Sequence, residues 1–501
     1  MPSDPPPDAA LAGTGGTLRV LPVLPYKSLD DYLHAGGGDG LSAARRVAPE
    51  IVVEELTASG LRGRGGAGFP TGEKWKTVRA NASEILRTSV VVNAAEGEPG
   101  TFKDRSILLA NPYAVLEGAL IAAHVMDATT VVIAIKARFI DQITRLNSAI
   151  DEIAQAGWSD GIDLRIVAGP AEYLFGEETA LLEVIDGRPP FPRIAPPYRR
   201  GVTEVVRADD DIDSGSGLSA HVQMAAADNT SGAPPVLVNN VETMANIPAI
   251  IARGSTWFRS VGTADSPGTM VCTVTGAVAT PGVGEIAMGT SLRDIITRVG
   301  GGVVEGRSIK LILIGVSNAV ITPDQLDVGV AYETMGAIGS GLGSAGFIVI
   351  ADDMHAVGVA SGVARFLSVE SCGQCTPCKS DGLAIAAVLS AAASGTADPH
   401  GFDTLTDLLG SVADEARCSL ARQQQTVVGS LLASFEDEIR TSFEVGADAV
   451  ETPLIAEVLG MSNAGTQLDD AFADKQPDWS YEQTDSAKTP VERFTDHRQA
   501  E

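Results

Sequence analysis

The chain has 501 residues, 44% of them hydrophobic and 20% charged, a balance that excludes a disordered or fibrous protein and, at roughly 150 residues per domain, predicts about three domains. Its 36 basic residues face 64 acidic ones, a net charge of −28, which repels phosphate backbones and anionic lipid surfaces, so neither nucleic-acid binding nor direct membrane insertion is expected. Five cysteines, with three packed between Cys372 and Cys378, do not make a secreted disulfide framework; the clustering calls for a metal.

Residues 1–12 are proline-rich, with no basic start leading into an apolar stretch, so no secretory signal is read there and a cytoplasmic protein is expected. The sequence stays rich in Pro and Gly to about Gly40. Residues 41–61 read as helix, with Pro49 near a helix start and Ile51, Val52 and Leu56 on one face. A glycine-dense loop follows at once. The β-branched run Val90-Val91-Val92 ends in Asn93; then come a polar turn, an apolar helix over 113–126 and a buried strand over 131–135. The apolar window 114–135 is interrupted by Glu117, His124 and Asp127, which fits a helix and a strand rather than a membrane span. Such alternation predicts an α/β layer with parallel pairing.

Residues 200–234 turn acidic and small, with Asp209-Asp210-Asp211 and Ser214-Gly215-Ser216-Gly217, and read as a surface insertion. From Thr269 short strands over 270–275, 284–287 and 310–314 predict a small β-rich domain ending near Ser344. The segment 354–438 reads as helical, with stretches at 358–367, 382–393, 402–415 and 425–441. Beyond Glu444 the chain is acidic and is expected to form an extended tail, lying on a neighbour or partly disordered.

Cys372-Gly-Gln-Cys375-Thr-Pro-Cys378 places three thiolates at two-residue gaps, a spacing that lets one tight loop supply three corners of an iron-sulfur cube. Cys418 is the fourth candidate, brought over by a helix hairpin. Structural zinc also takes four thiolates, usually from two separated Cys-x-x-Cys pairs, so the spacing favours the cluster. Cys272, in the apolar run 270–274, reads as a buried strand thiol.

Gly63-Arg-Gly65-Gly66-Ala67-Gly68 satisfies Gly-x-Gly-x-x-Gly, in which absent side chains let backbone N–H groups approach a phosphate or a flavin ring. A helix rather than a strand precedes it, so a standard dinucleotide fingerprint is not supported. A phosphate-approaching loop and a flexible hinge both remain, with Arg62, Arg64 and Lys74 near enough in sequence to offset anionic charge. Downstream, the turn from Asn93 through Glu96 and Glu98 to Arg105 follows a strand end, where open α/β sheets bind ligands. Its carboxylates suit ribose hydroxyls, and equally a solvated turn.

These motifs together resemble the flavin-binding 51-kilodalton family of respiratory complex I subunits, which includes the diaphorase subunits of soluble NAD-linked hydrogenases and formate dehydrogenases. The resemblance covers about residues 28–440. It runs from Leu29-Asp-Asp-Tyr32-Leu33 through Gly60-Leu-Arg-Gly-Arg-Gly-Gly-Ala-Gly-Phe-Pro-Thr-Gly-Glu-Lys-Trp75, Glu98-Pro-Gly-Thr-Phe-Lys-Asp-Arg105, Gly176-Glu-Glu-Thr-Ala180, Asn239-Asn-Val-Glu-Thr243 and Glu370-Ser-Cys-Gly-Gln-Cys-Thr-Pro-Cys378 to Cys418.

The resemblance implies an extension over 1–28, a Rossmann-like α/β flavin domain over 29–248 with its acidic insertion at 201–234, a ubiquitin-like β-grasp domain over 249–345, a helical cluster domain over 346–443 and a tail over 444–501. It implies an FMN site built from Gly63, Arg64, Gly65, Gly66, Lys74, Asn93, Glu96, Tyr173, Glu177, Asn239, Asn240 and Thr243. Phe69, Glu98, Glu178 and Tyr198 would face the nicotinamide nucleotide, NAD(H), as substrate, and the four cysteines would hold a 4Fe–4S cluster. No side-chain acid or base is required for hydride transfer to a flavin. The implied partners are a thioredoxin-like 2Fe–2S subunit and a further iron-sulfur or catalytic subunit of formate dehydrogenase, hydrogenase or complex I type; membrane association would come only through them. Two positions depart from the family pattern: Ala95 stands where an Asp is usual and Ala195 where a Lys is common. An electron-relay subunit that keeps the cluster without reacting with NADH is the alternative reading.

Overall fold

The computed structural model describes residues 18–82, 87–193, 205–206, 221–222, 235–462 and 465–477. The expected N-terminal extension to residue 17, most of the acidic insertion, Ala195, Tyr198 and the last part of the tail lie outside the described residues.

The first sheet is fully parallel. Its strands are β1 (Ser89–Ala94), β2 (Thr130–Lys136), β3 (Asp163–Gly169) and β4 (Val236–Asn240), in the order β3-β2-β1-β4. β1 and β2 are buried because helices cover both faces, which is why they read as continuous β-branched runs instead of alternating. The helix Pro112–Met126 begins with Asn111 accepting the Ala114 N–H and Pro at its first turn, and ends at Asp127 with φ of 50°. It is apolar all round because it is enclosed: Gly118 lies so close to the backbone of Met244 that a Cβ there would fall 2.1 Å from the Met244 carbonyl oxygen. Among the described residues no single helix is long and apolar enough to cross a membrane.

The helix expected over 41–61 is two helices, Asp39–Ala44 and Pro49–Ser59. Proline has no N–H to continue a helix through position 49 and instead starts the second one. Its buried face is Val52, Val53 and Leu56, while Ile51 is 50% exposed.

The second sheet contains β5 (Thr269–Gly276), β6 (Gly282–Ala287), β7 (Ile309–Ile314) and β8 (Gly346–Ala351), in the order β6-β5-β8-β7, with only the β5–β8 pair parallel. The helix Leu292–Gly300 packs its apolar face on this sheet, giving a β-grasp arrangement. β8 lies past the boundary expected at residue 345 and is central to the sheet. Its short run Phe347 to Ile350 is closed by the turn at Asp352-Asp353, and its pairing with β5 and β7 places it in the sheet.

The helices Ala356–Val369, Thr376–Ala393, Gly401–Ser411, Leu420–Ser434 and Glu436–Thr441 share a third core. The single helix expected over 425–441 is broken at Phe435. The tail is corrected in part. Residues 454–462 and 465–477 fold back on the chain's own surface, with Ile455, Ala456, Val458 and Phe472 buried and β9 (Val458–Ser462) paired antiparallel with β10 (Gly465–Leu468). Apolar residues spaced through an acidic segment gain more by burial than charge repulsion removes.

Candidate functional site

The glycine loop runs from the C-terminal end of helix Pro49–Ser59, where Gly60 has φ of 71°, to helix Thr71–Ala80. It is closed on itself by Gly63 N–H donating to the Phe69 carbonyl at 2.8 Å and by Tyr332 Oη donating to the Gly63 carbonyl at 2.7 Å. It is fixed to the start of helix Val241–Arg253 by Arg64 N–H donating to Thr243 Oγ1 at 2.9 Å. At Gly65 a Cβ would meet Asn240 Cβ at 3.1 Å. Gly66 has φ of 126° and open space where a Cβ would stand, so its backbone is a bare surface for a ligand.

The expected flavin residues divide by where their side chains point. The Arg64 guanidinium is buried and donates to the carbonyls of Thr269 at 3.0 Å and Pro267 at 3.3 Å, which turns it into the seam with the β-grasp domain. Lys74 pairs with Glu178. Asn239 Oδ1 accepts from Trp75 Nε1 at 2.9 Å, and Asn93 bridges the Gly176 carbonyl and the Ala95 N–H. Glu177 caps the helix Glu178–Ile185 by accepting from Thr179 and Ala180 N–H. Glu96 accepts from Arg105 Nε at 2.8 Å and from Asp104 N–H at 3.1 Å. Phe69 is 55% exposed beside the loop. Asn240 and Thr243 thus gather on the loop through direct contacts and Lys74 and Glu178 form a pair of their own, while Glu96 and the Arg64 guanidinium serve the surrounding frame.

Beneath Asn240 lies a buried ionic network to which sequence reasoning assigns no role. Lys103 Nζ contacts Asp104 Oδ1 at 2.7 Å and Glu242 Oε2 at 2.9 Å, and Asn240 Nδ2 donates to Asp104 Oδ2 at 2.6 Å. Burial, together with the neighbouring Glu96 and Glu242 and against the pull of Lys103, pushes Asp104 up to about 6. A sequence signal exists: three consecutive charges, Lys103-Asp104-Arg105, close the motif that begins at Glu98. Gln423 is a second residue that sequence reasoning misses. Tyr173 Oη donates to Glu98 Oε2 at 2.5 Å and stands 3.1 Å from Gln423 Nε2, whereas Glu98 Oε1 accepts the Val316 N–H at 2.7 Å.

The four cysteines converge. Cys375 precedes helix Thr376–Ala393, Cys378 lies in its first turn, and Cys418 stands just ahead of helix Leu420–Ser434; with Cys372 they surround one pocket closed by Leu174, Pro192, Ser371, Ala416, Leu420 and Ala421. Cys378 Sγ is 3.3 Å from Ser371 Oγ, and Gln374 Nε2 donates to Cys372 Sγ at 3.3 Å. Burial first, and the charges of neighbouring thiolates second, push Cys378 up to about 11 and Cys418 up to about 12. Four cysteines gathered on one largely apolar pocket supply the sulfur donors that a cationic cluster takes, so the donor set fits an iron-sulfur cluster. Cys272 is fully buried in β5, on a different core, and its Sγ faces the Gly284 carbonyl at 3.4 Å.

Residues 56–249 match the Nuo51 FMN-binding domain, residues 271–322 the SLBB domain and residues 358–442 the NADH-ubiquinone oxidoreductase-F iron-sulfur binding region. The chain is 37% identical over 372 residues to the F 2 subunit of NADH-quinone oxidoreductase from Rhizobium meliloti, an alignment covering 72% of this chain and 82% of that protein. It is 34% identical over 421 residues to the HndC subunit of the NADP-reducing hydrogenase from Solidesulfovibrio fructosivorans, covering 82% and 80%. Among solved structures it resembles an NAD+-reducing [NiFe]-hydrogenase in its H2-reduced state with a TM-score of 0.70 at 29% identity, covering 84% of this chain and 67% of that one.

Proposed function

Since the chain belongs to the family of NADH-quinone oxidoreductase F subunits and hydrogenase diaphorase subunits, we propose that it is the flavoprotein subunit of a multi-subunit redox complex, oxidising NADH or reducing NAD. FMN and a 4Fe–4S cluster are its cofactors, and when bound they supply the exchange of a hydride pair for single electrons. The observation that carries the reading is the convergence of four cysteines on one pocket, with Gln423, in the helix that follows Cys418, reaching Tyr173 and through it Glu98.

The chain's own contribution is position. The loop presents the Gly65 and Gly66 backbone to a planar or anionic group, and Asn240 and Thr243 keep it from collapsing. Lys74 offers a cation that Glu178 holds in place, and Phe69 offers an exposed aromatic face to a nucleotide ring. Glu98 and Glu178 are the carboxylates available to ribose hydroxyls. Cys372, Cys375, Cys378 and Cys418 hold the cluster in an apolar, water-poor pocket. The chain works in the cytoplasm, with a thioredoxin-like 2Fe–2S subunit and a further iron-sulfur or catalytic subunit as partners.

Anaerobic mixing of the iron-loaded, FMN-loaded protein with NADH tests the reading: flavin absorbance bleaches if it is right. Retained FMN that does not bleach would leave only an electron-relay subunit.

A further inference from the structure

The segment 454–475 lies beyond all three family matches and touches both cofactor domains. Glu457 is its buried anchor. Glu457 Oε2 accepts from Lys136 Nζ at 2.5 Å and pairs with Arg138, and its Oε1 stands 3.8 Å from Arg105 Nη1. All three cations belong to the flavin-side domain: Lys136 ends β2, Arg138 follows it, and Arg105 is the residue that holds Glu96. Arg138 also reaches Asp469 at 2.7 Å.

The other end of the segment grips the helix that delivers the cluster loop. Arg365 Nη2 donates to the carbonyls of Ala473 at 2.6 Å and Lys475 at 3.0 Å, and Phe472 stacks on Phe366 with centroids 5.0 Å apart. Lys475 Nζ donates to Glu370 Oε1 at 2.7 Å, while Glu370 Oε2 accepts the Tyr173 N–H at 2.9 Å. Glu370 precedes Cys372 by two positions, and Tyr173 carries the hydroxyl bound to Glu98. A cavity of about 250 Å³ bordered by Lys136, Glu370, Glu457 and Asp469 lies under the segment, while its Ile455, Ala456 and Phe472 enter the apolar core that runs from Leu174 to the cluster helices, so charged contacts and apolar packing together join the two domains here.

We propose that residues 454–462 and 465–475 form a strap whose Glu457 latch is a positioning device for electron transfer, holding the Glu96 to Glu98 turn and the Cys372 loop at a fixed separation. The inference rests on the diaphorase reading. Burial opposes the charge on Glu457, yet Lys136, Arg105 and Arg138 outweigh it and hold the carboxyl below its usual range, so the latch stays charged at neutral pH. A loosened strap leaves the glycine loop and the four cysteines intact but lets the separation between them fluctuate. Electron passage then slows while flavin reduction does not.

The test uses the full chain loaded with FMN and iron, in three forms: unaltered, Glu457→Gln and Arg365→Ala. Arg365→Ala loosens the far end without leaving a buried charge unpaired, so it remains informative if Glu457→Gln does not fold. Stopped-flow absorbance reads flavin bleaching by NADH and subsequent cluster reduction separately, and hydrogen exchange over 457–475 reports the strap. The expected result is faster exchange, flavin bleaching within twofold of the unaltered protein and cluster reduction at least tenfold slower. Unchanged cluster reduction despite an opened strap overturns the proposal, as does equal slowing of both steps or loss of FMN or iron from Arg365→Ala. A parallel arm photoreduces the flavin with a sacrificial tertiary amine as electron donor instead of NADH. If NADH fails to bleach the unaltered protein, the diaphorase reading fails, and the light arm still decides whether the strap governs passage to the cluster.

Discussion

Tyr173 and Glu98, 75 positions apart in the chain, are joined by a 2.5 Å hydrogen bond in which the phenol donates to the carboxylate. Burial raises the Glu98 carboxyl above its ordinary range in spite of that bond and of the Val316 N–H. The proton on Glu98 therefore stabilises the fold fully below about 4.3, and that contribution is lost as pH rises through the elevated value.

In the proposed role of Glu98 the ionised form would accept a ribose hydroxyl, so kcat/KM for NADH should rise with pH as Glu98 deprotonates, at a pH above the ordinary carboxylate range. Glu98→Gln should flatten this limb and lower the plateau roughly 10- to 100-fold, the loss of one hydrogen bond to a charged group. A pH profile of kcat/KM on both proteins checks it; an unchanged acid limb in the variant would assign the titration elsewhere.

Cys418→Ala should abolish the cluster while FMN stays bound, because the glycine loop and Asn240 belong to another domain. Iron analysis against flavin absorbance measures both. Cys272→Ala should keep full iron and cost about 1–2 kcal/mol in urea unfolding, since it only trims a buried side chain.

Gly66→Ala should place a methyl group and a strained φ of 126° on the bare face of the loop. FMN retention, followed by fluorescence of released flavin, should fall at least tenfold. Gly161→Ala is the matched control, with φ of 79° and equally open space but far from the loop in sequence, and it should release no flavin.

Lys103→Met should be among the most destabilising single changes. It leaves Asp104 and Glu242 buried without their shared cation, a loss of about 3–5 kcal/mol. Chemical denaturation followed by circular dichroism measures it, and a cost under 1 kcal/mol would mean that water already screens the network.

Some of this protein is legible residue by residue. The triple valine of β1, the apolar helix read over 113–126 and the Cys-x-x-Cys-x-x-Cys spacing are local signals, and each specifies a local geometry whatever surrounds it. The order of motifs along the chain likewise specifies the α/β, β-grasp and helical sequence of domains. Pro49 marks a helix start, and the expectation of one helix over 41–61 fails because it runs through that proline.

What stays hidden depends on partners distant in the chain. Strand β8 differs from any short apolar run only in pairing with β5 and β7, and the Arg64 guanidinium turns from the loop because Thr269 and Pro267 carbonyls await it 203 or more positions away. The tail reads as an acidic extension because its few apolar residues have no local period. Its order comes from Glu457 meeting three cations of another domain and Phe472 meeting Phe366. Sequence by itself determined the cofactor-bearing motifs and their order, since backbone conformation and ligand spacing are local. Only tertiary structure decided which charges are buried together, because that energy exists only once distant segments have excluded water between them.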